Sequence, residues 1–312
     1  MNNLHNTTHD NTGHSGAASK LVCVTGASGF LGSAIALRFL ELGHRVRLPL
    51  RKKAQAEAWQ EMYRRKYDGR LETVLLKQQM QEEGAFGDAV EGCEIVVNAA
   101  SPAVFTFETS AENDILRPAI NGTLSILRSA QKSGTVTSFV LTSSDSAYVS
   151  ILSENGLGEG DVLDESKWNP ITPPRKLSEK ALWAFMKDPA VHFTLCTLGP
   201  AAVLGKNPSP LVKRLDDLGS SSSELFVSID SVAEAHVLAA LNPSVSAGKR
   251  YLLISDRSSL ERVVREMVKH RPELKGHYPP LPDGEHAGEG PWRKSRVGVH
   301  RPPFPPSKDP GR

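Results

Sequence analysis

Leu21-Val-Cys-Val-Thr-Gly-Ala-Ser-Gly-Phe-Leu-Gly-Ser33 is the stretch on which the fold turns. It starts as a short apolar run, Leu21 to Val24, suited to a strand buried on both faces. It then turns through Gly26, Gly29 and Gly32 into Ala34–Leu42, where Leu31, Ile35, Phe39 and Leu42 recur at helical spacing. Gly43 supplies a C-terminal stop. A strand, a glycine turn and a helix in that order make a dinucleotide-binding opening. Gly26 permits the tight turn, Gly29 lets a pyrophosphate approach the backbone, and Gly32 lets the helix pack close to the strand. The free N–H groups of the helix N-terminus face the anion.

The next strand, Arg45–Leu50, ends in Arg51-Lys52-Lys53. An acidic residue near this strand end would bind a ribose 2′-hydroxyl, and none occurs between Arg45 and Ala56. A guanidinium and two ammonium groups suit a 2′-phosphate instead, because Arg forms bidentate bonds to phosphate oxygens. The bland alternative is a solvated basic helix start. NADP is therefore expected over NAD.

Strands and helices then alternate, which predicts a doubly wound, Rossmann-type parallel α/β sheet. Ala54–Tyr67 reads as a helix, Leu71–Leu76 as a strand, Ala85–Val90 as a short helix and Glu94–Asn98 as a strand. Ala99-Ala100-Ser101-Pro102 follows, and small residues at a strand's carboxyl end leave room for a ring or ribose. Asn113–Lys132 reads as a helix despite Pro118, and Ser138–Thr142 as a strand running into Ser143-Ser144-Asp145. Residues 151–175 are loop-like. Helix Lys176–Met186, strand His192–Leu198 with Gly199-Pro200 after it, helix Val232–Leu241, strand Arg250–Ile254 and helix Leu260–Lys269 complete the reading. The expected organisation is a disordered leader over 1–20, an NADP-binding domain over 21–200, a small, shortened substrate lobe with interleaved Rossmann elements over 201–278, and an irregular Pro/Gly-rich tail over 279–312.

Composition narrows the function. A net charge of +2 gives no electrostatic case for nucleic acid or an acidic membrane surface. No apolar run reaches the roughly 18 residues of a membrane span. Cys23, Cys93 and Cys196 lie in or beside apolar runs without metal-ligand spacing, as expected of buried free thiols in a reducing compartment. No metal is expected. His5, His9 and His14 lack partner carboxylates and read as solvated.

Several separated motifs occur together: Val24-Thr-Gly-Ala-Ser-Gly-Phe-Leu-Gly32, Arg51, Ala99-Ala-Ser-Pro102 and Pro118-Ala-Ile-Asn-Gly-Thr123. They continue as Leu141-Thr-Ser-Ser144, Trp168-Asn-Pro170, Glu179-Lys-Ala-Leu-Trp183 and Val232-Ala-Glu-Ala-His236. In this order the chain resembles the extended short-chain dehydrogenases/reductases, nearest the dihydroflavonol-reductase-like and fungal aldehyde/ketone-reductase branch. The resemblance implies an NADPH-dependent oxidoreductase acting on a small-molecule ketone or aldehyde, a cytoplasmic monomer or homodimer. It implies cofactor contacts at Thr25, Gly26, Ser28, Gly29, Phe30, Leu31, Gly32, Arg51, Lys52, Ala99, Ala100, Thr142, Pro200 and Val203.

The family's chemistry uses a Ser, a Tyr and a Lys. The Ser orients the carbonyl, the Tyr donates the proton, and the Lys lowers the Tyr pKa. Ser144 matches the Ser, with a strand-end cap as its alternative role. Tyr63, Tyr67, Tyr148, Tyr251 and Tyr278 are all the tyrosines, and none begins a Tyr-x-x-x-Lys. Counting back from Glu179, the family's Lys position falls on Arg175 and its Tyr position on Ile171. Tyr148 reads as a packed aromatic, and Lys176 and Lys180 have no Tyr to act on. The stretches before Arg175 and between Asp217 and Phe226 are short for the family, and the tail departs from it. Weak or absent activity is expected. The alternatives are a non-catalytic NADP(H)-binding protein and a mis-assembled or decayed reductase. An epimerase or dehydratase on the same fold would need the same absent Tyr and Lys.

Overall fold

The computed structural model describes residues 18–100, 113, 116–148, 164–170, 174–206, 208–209, 225–257, 260–270 and 272. Most of the residues read as leader, and all of the tail, lie outside these.

Each central strand sends alternate side chains to opposite faces, and here both faces are apolar. Strand β1 (Leu21–Thr25) puts Val22 and Val24 into one core and Leu21 and Cys23 into the other. Strands β4 (Ile95–Asn98) and β5 (Ser138–Thr142) divide the same way: Val97 and Val140 go to the first core, Val96 and Phe139 to the second. With β2 (Arg45–Leu50), β3 (Leu71–Leu75), β6 (Thr194–Pro200) and β9 (Lys249–Leu253) they form a parallel seven-stranded sheet of order β3-β2-β1-β4-β5-β6-β9. Helices α1 (Phe30–Glu41), α2 (Lys53–Tyr63) and α6 (Ile229–Leu241) contribute to the first core. Helices α3 (Gly87–Val90), α4 (Arg117–Ser133) and α5 (Pro174–Phe185) contribute to the second. The doubly wound sheet expected from the alternation is the fold.

Helix α6 is followed by the single turn α7 (Pro243–Ser246), and α8 (Leu260–His270) comes last. A small second sheet, of order β10-β8-β7, joins β7 (Ala202–Leu204), β8 (Leu225–Ser228) and β10 (Asp256–Arg257). Sequence reading misses these three strands because two to four residues are too few to show a period.

Proline stands at the start of two helices. The regular part of α4 begins at Arg117, with Pro118 in its first turn, where a missing N–H costs nothing, and Asn113 and Leu116 ahead of it are π-helical. Helix α5 begins at Pro174, inside the stretch read as loop, because its ring presets φ for the first helical position. Strand β6 also runs through Gly199 and Pro200 rather than ending at Leu198. Helix α2 ends at Tyr63, short of Tyr67. All three cysteines are free and buried. Among the described residues no helix is long and apolar enough to cross a membrane, and no cluster of His, Cys, Asp and Glu could hold a metal ion.

Candidate active site at the carboxyl edge of the sheet

The strand order reverses between β1 and β4, and the crevice outside their carboxyl ends is where such sheets take ligands. Gly26 closes the turn after β1 with φ at +73°, and its carbonyl accepts from Gly29 N at 2.9 Å. A Cβ on Gly26 would stand 2.8 Å from the Ala99 carbonyl carbon and the Ala100 nitrogen. On Gly32 it would stand 2.3 Å from the Gly26 oxygen. Helix, turn and β4 end are thus in backbone contact, with no room for a side chain.

Gly29 caps α1 without a side chain, and the first turn of the helix holds no acidic residue. The first-turn amides, which include those of Phe30, Leu31 and Gly32, therefore carry an uncompensated positive end toward the crevice. Behind the turn, the buried Trp59 of α2 donates its indole N–H to Ala27 O at 3.2 Å. Ser28 is half-buried, and its carbonyl accepts from the Ser209 hydroxyl at 3.4 Å.

Arg51 and Lys52 are exposed at the end of β2. The Gln55 side chain accepts from both of their backbone N–H groups, at 3.3 and 3.2 Å. Among the described residues the Arg51 guanidinium has no partner. It is a cation held near the crevice and available to an anion.

Thr25 joins the ends of β1 and β4. Its hydroxyl donates to Asn98 Oδ1 at 2.7 Å and accepts from Ala100 N at 3.0 Å. Ala99 and Ala100 are only partly buried, so the floor between the strands is small and open. Pro200, buried at the end of β6, and half-buried Val203 on β7 stand at the far side.

The end of β5 is different in kind. Thr142 Oγ1 and His236 Nε2 are 2.8 Å apart, and His236 Nδ1 is 2.7 Å from Val232 O. Burial drives the His236 pKa down to about 4, so the ring is neutral. Nδ1–H donates to Val232 O, and Nε2 accepts from Thr142. Ser143 donates to the buried Glu179 at 2.5 Å. Ser144 starts a 3₁₀ turn over Asp145–Ala147, donating to Asp145 Oδ1 at 2.9 Å and accepting from Ser146 N at 3.3 Å. It is half-buried, and in this state it caps the turn.

No tyrosine among the described residues is free beside Ser144. Tyr148 is enclosed and donates to Tyr251 O at 3.3 Å, with its ring where a Gly199 side chain would stand. Burial raises its pKa well above the ordinary phenol value. Tyr63 donates to Pro208 O at 2.7 Å, Tyr67 is buried below α2, and Tyr251 donates to Val245 O at 3.4 Å. Ile171 and Tyr278 lie outside the described residues, and Arg175 is on the first turn of α5. Lys176 is buried and donates to Asn169 O, while Lys180 sits 5.3 Å from the centre of the Trp168 ring. Trp59 behind the glycine turn and the Glu179–Arg250 pair were missed by sequence reading, and only Glu179 lay within a motif it singled out.

The profile of the NAD dependent epimerase/dehydratase family matches residues 22–173. Tetraketide alpha-pyrone reductase 1 of Arabidopsis thaliana is 33% identical over 280 residues, covering 81% of this chain and 82% of that protein. The bifunctional dihydroflavonol 4-reductase/flavanone 4-reductase of Pyrus communis is 29% identical over 286 residues, covering 83% and 78%. Among solved structures, yeast methylglyoxal/isovaleraldehyde reductase Gre2 complexed with NADPH superposes with a TM-score of 0.74 at 25% identity, over 87% of this chain and 88% of that one.

Proposed function

The chain belongs to the extended short-chain dehydrogenases/reductases, within the NAD dependent epimerase/dehydratase family, and on that premise we propose that it binds NADP(H) and presents Ser144 to a small-molecule ketone or aldehyde. The observation that carries the reading is the cradle of backbone contacts at Gly26 and Gly32 beneath an uncapped helix N-terminus. The first-turn amides of α1 would hold the pyrophosphate, and Arg51 with Lys52 the 2′-phosphate. Thr25 and Thr142 would act through their backbone, since their hydroxyls are engaged elsewhere. Small residues at 99 and 100 leave space for the ribose.

When bound, the reduced cofactor supplies a hydride to the carbonyl carbon. Ser144 would turn its O–H from Asp145 to the carbonyl oxygen and orient it. That oxygen must then gain a proton. Tyr148 cannot give one, because it is buried and hydrogen-bonded away from the crevice. Loss of a general acid costs about 10²–10⁴ in rate, so slow turnover follows.

The test is to titrate NADPH and NADH against the protein and to assay a carbonyl panel. Binding of NADPH at least about tenfold tighter than NADH, with slow carbonyl-dependent oxidation, is the expected result. Tight binding with no turnover selects the second reading, a non-catalytic NADP(H)-binding protein, which the enclosure of Tyr148 favours. Equal or absent binding of both cofactors overturns the proposal. Sequencing the transcript across codons 170–179 tests the mis-assembled reading. The same proposal keeps the cofactor domain at 21–200, the lobe at 201–278, and a cytoplasmic monomer or homodimer, the location supported by three free buried cysteines.

A further inference from the structure

Glu179, on α5, is fully buried. One carboxylate oxygen accepts from Ser143 at 2.5 Å. The other accepts from Thr197 at 2.9 Å, from Arg250 Nε at 2.6 Å and from the Trp183 indole at 3.3 Å. The Arg250 side chain, on β9, is 11% exposed. Its Nη1 donates to two backbone carbonyls, Glu165 O at 2.8 Å and Lys167 O at 2.9 Å. Its guanidinium carbon lies 3.6 Å from the centre of the Trp168 ring and 4.2 Å from that of Tyr148.

Five pieces of chain meet on these two side chains: α5, the end of β5, β6, β9 and the segment 164–170. The segment is further tied to the turn after Ser144. Asn169 N donates to Ala147 O at 2.9 Å, and Asn169 Nδ2 donates to Ser146 O at 2.7 Å. A buried ion pair is a poor device for stability alone, since apolar residues of the same volume often serve as well or better. What apolar residues cannot supply is direction. Nε faces the carboxylate, Nη1 faces the two carbonyls, and the guanidinium is held against two rings, which together fix these segments in orientation.

Two of those segments carry the site. Ser143 immediately precedes Ser144, and Glu179 stands one helical turn beyond Arg175. We propose that Glu179 and Arg250 are positioning residues of this site, setting Ser144, the start of α5 and the 164–170 segment in one frame. The proposal builds on the NADP(H) reading, and its first measurement does not depend on that reading.

That measurement is hydrogen exchange, peptide by peptide, on the full chain and on Glu179→Gln, Arg250→Lys and Arg250→Met. The expected result is exchange at least about tenfold faster in 164–170 and 146–148, with β1 to β4 unchanged. Arg250→Lys should behave as Arg250→Met, because an ammonium cannot span a carboxylate and two carbonyls at once. The second measurement is NADPH titration of the same variants. Affinity should hold within about threefold, while the fluorescence gain of the bound nicotinamide falls by about half or more. Exchange that rises uniformly across the sheet, or stays unchanged in 164–170, overturns the proposal. If the unaltered chain fails to bind NADPH, the functional reading falls and the exchange result alone decides this one. If Glu179→Gln does not fold, the two Arg250 variants decide.

Discussion

At the ends of β1 and β4 the crevice is lined by backbone, whereas at the end of β5 it is lined by side chains already bonded to one another. The first region offers helix amides, a guanidinium without a partner among the described residues, and a floor of alanines. In the second, Thr142 serves His236, Ser143 serves Glu179 and Ser144 serves its own turn. A binding site made of backbone survives changes elsewhere in the chain, because it depends on local geometry. A catalytic constellation made of side chains from distant segments is lost when one segment changes. The proposed binding and the proposed chemistry therefore rest on separate parts of the crevice.

The widest test of that contrast restores the missing chemistry. The double variant Ile171→Tyr, Arg175→Lys should raise NADPH-dependent carbonyl turnover by about 10²–10⁴ while leaving cofactor affinity in place. No gain in steady-state assays would mean that more than the acid and its partner is absent. From the other side, Gly32→Ala drives a methyl group into the Gly26 carbonyl, and overpacking of this kind costs about 1–3 kcal/mol. NADPH affinity should fall by up to about 10²-fold, with a lower melting temperature. Unaltered calorimetric binding would break the claim that this cradle has no slack.

His236 sharpens the catalytic side through pH. Its pKa is about 4 in the fold against 6.5 unfolded, so the neutral ring is the native form. The stability this contributes is complete above pH 6.5 and is lost as pH falls toward 4. It amounts to about 3 kcal/mol. Urea titrations across that window should show the loss, and His236→Gln should flatten its share of the slope.

Arg51→Ala should weaken NADPH by about tenfold and leave NADH nearly unaffected, so the two titrations together test the 2′-phosphate assignment. Smallest of all, Ser144→Ala should change NADPH affinity by less than about twofold, since Ser144 belongs to the other region. A large loss in that titration would join the two regions again.

The same division decides what could be read before the structure. β1, the glycine turn and α1 are contiguous, so their strand-to-helix change of period is visible in the residues themselves. The exposed place of Arg51 just after β2 follows from its position at a strand end, and its role there is a proposal. His236 and Thr142 are 94 residues apart, and Arg250 and Glu179 are 71 apart. No local pattern announces such partners. Ser144 is proposed from the sequence as a site position, but its bond to Asp145 is not legible there, because a hydroxyl's choice among neighbours depends on the turn that follows it. The short strands at 202–204, 225–228 and 256–257 were hidden for want of length.

Strand β9 enters the main sheet beside β6, from residues far along the chain. Between them, β7 and β8 pair in the small second sheet and not in the main one. Halving or doubling a flexible connection changes its closure entropy by only about 0.6 kcal/mol. The chain length between β7 and β8 is thus a cheap quantity to change, whereas α6 and β9 beyond it belong to the core and the main sheet. A change of length there would leave the register of β1, β4, β5 and β6 as it is.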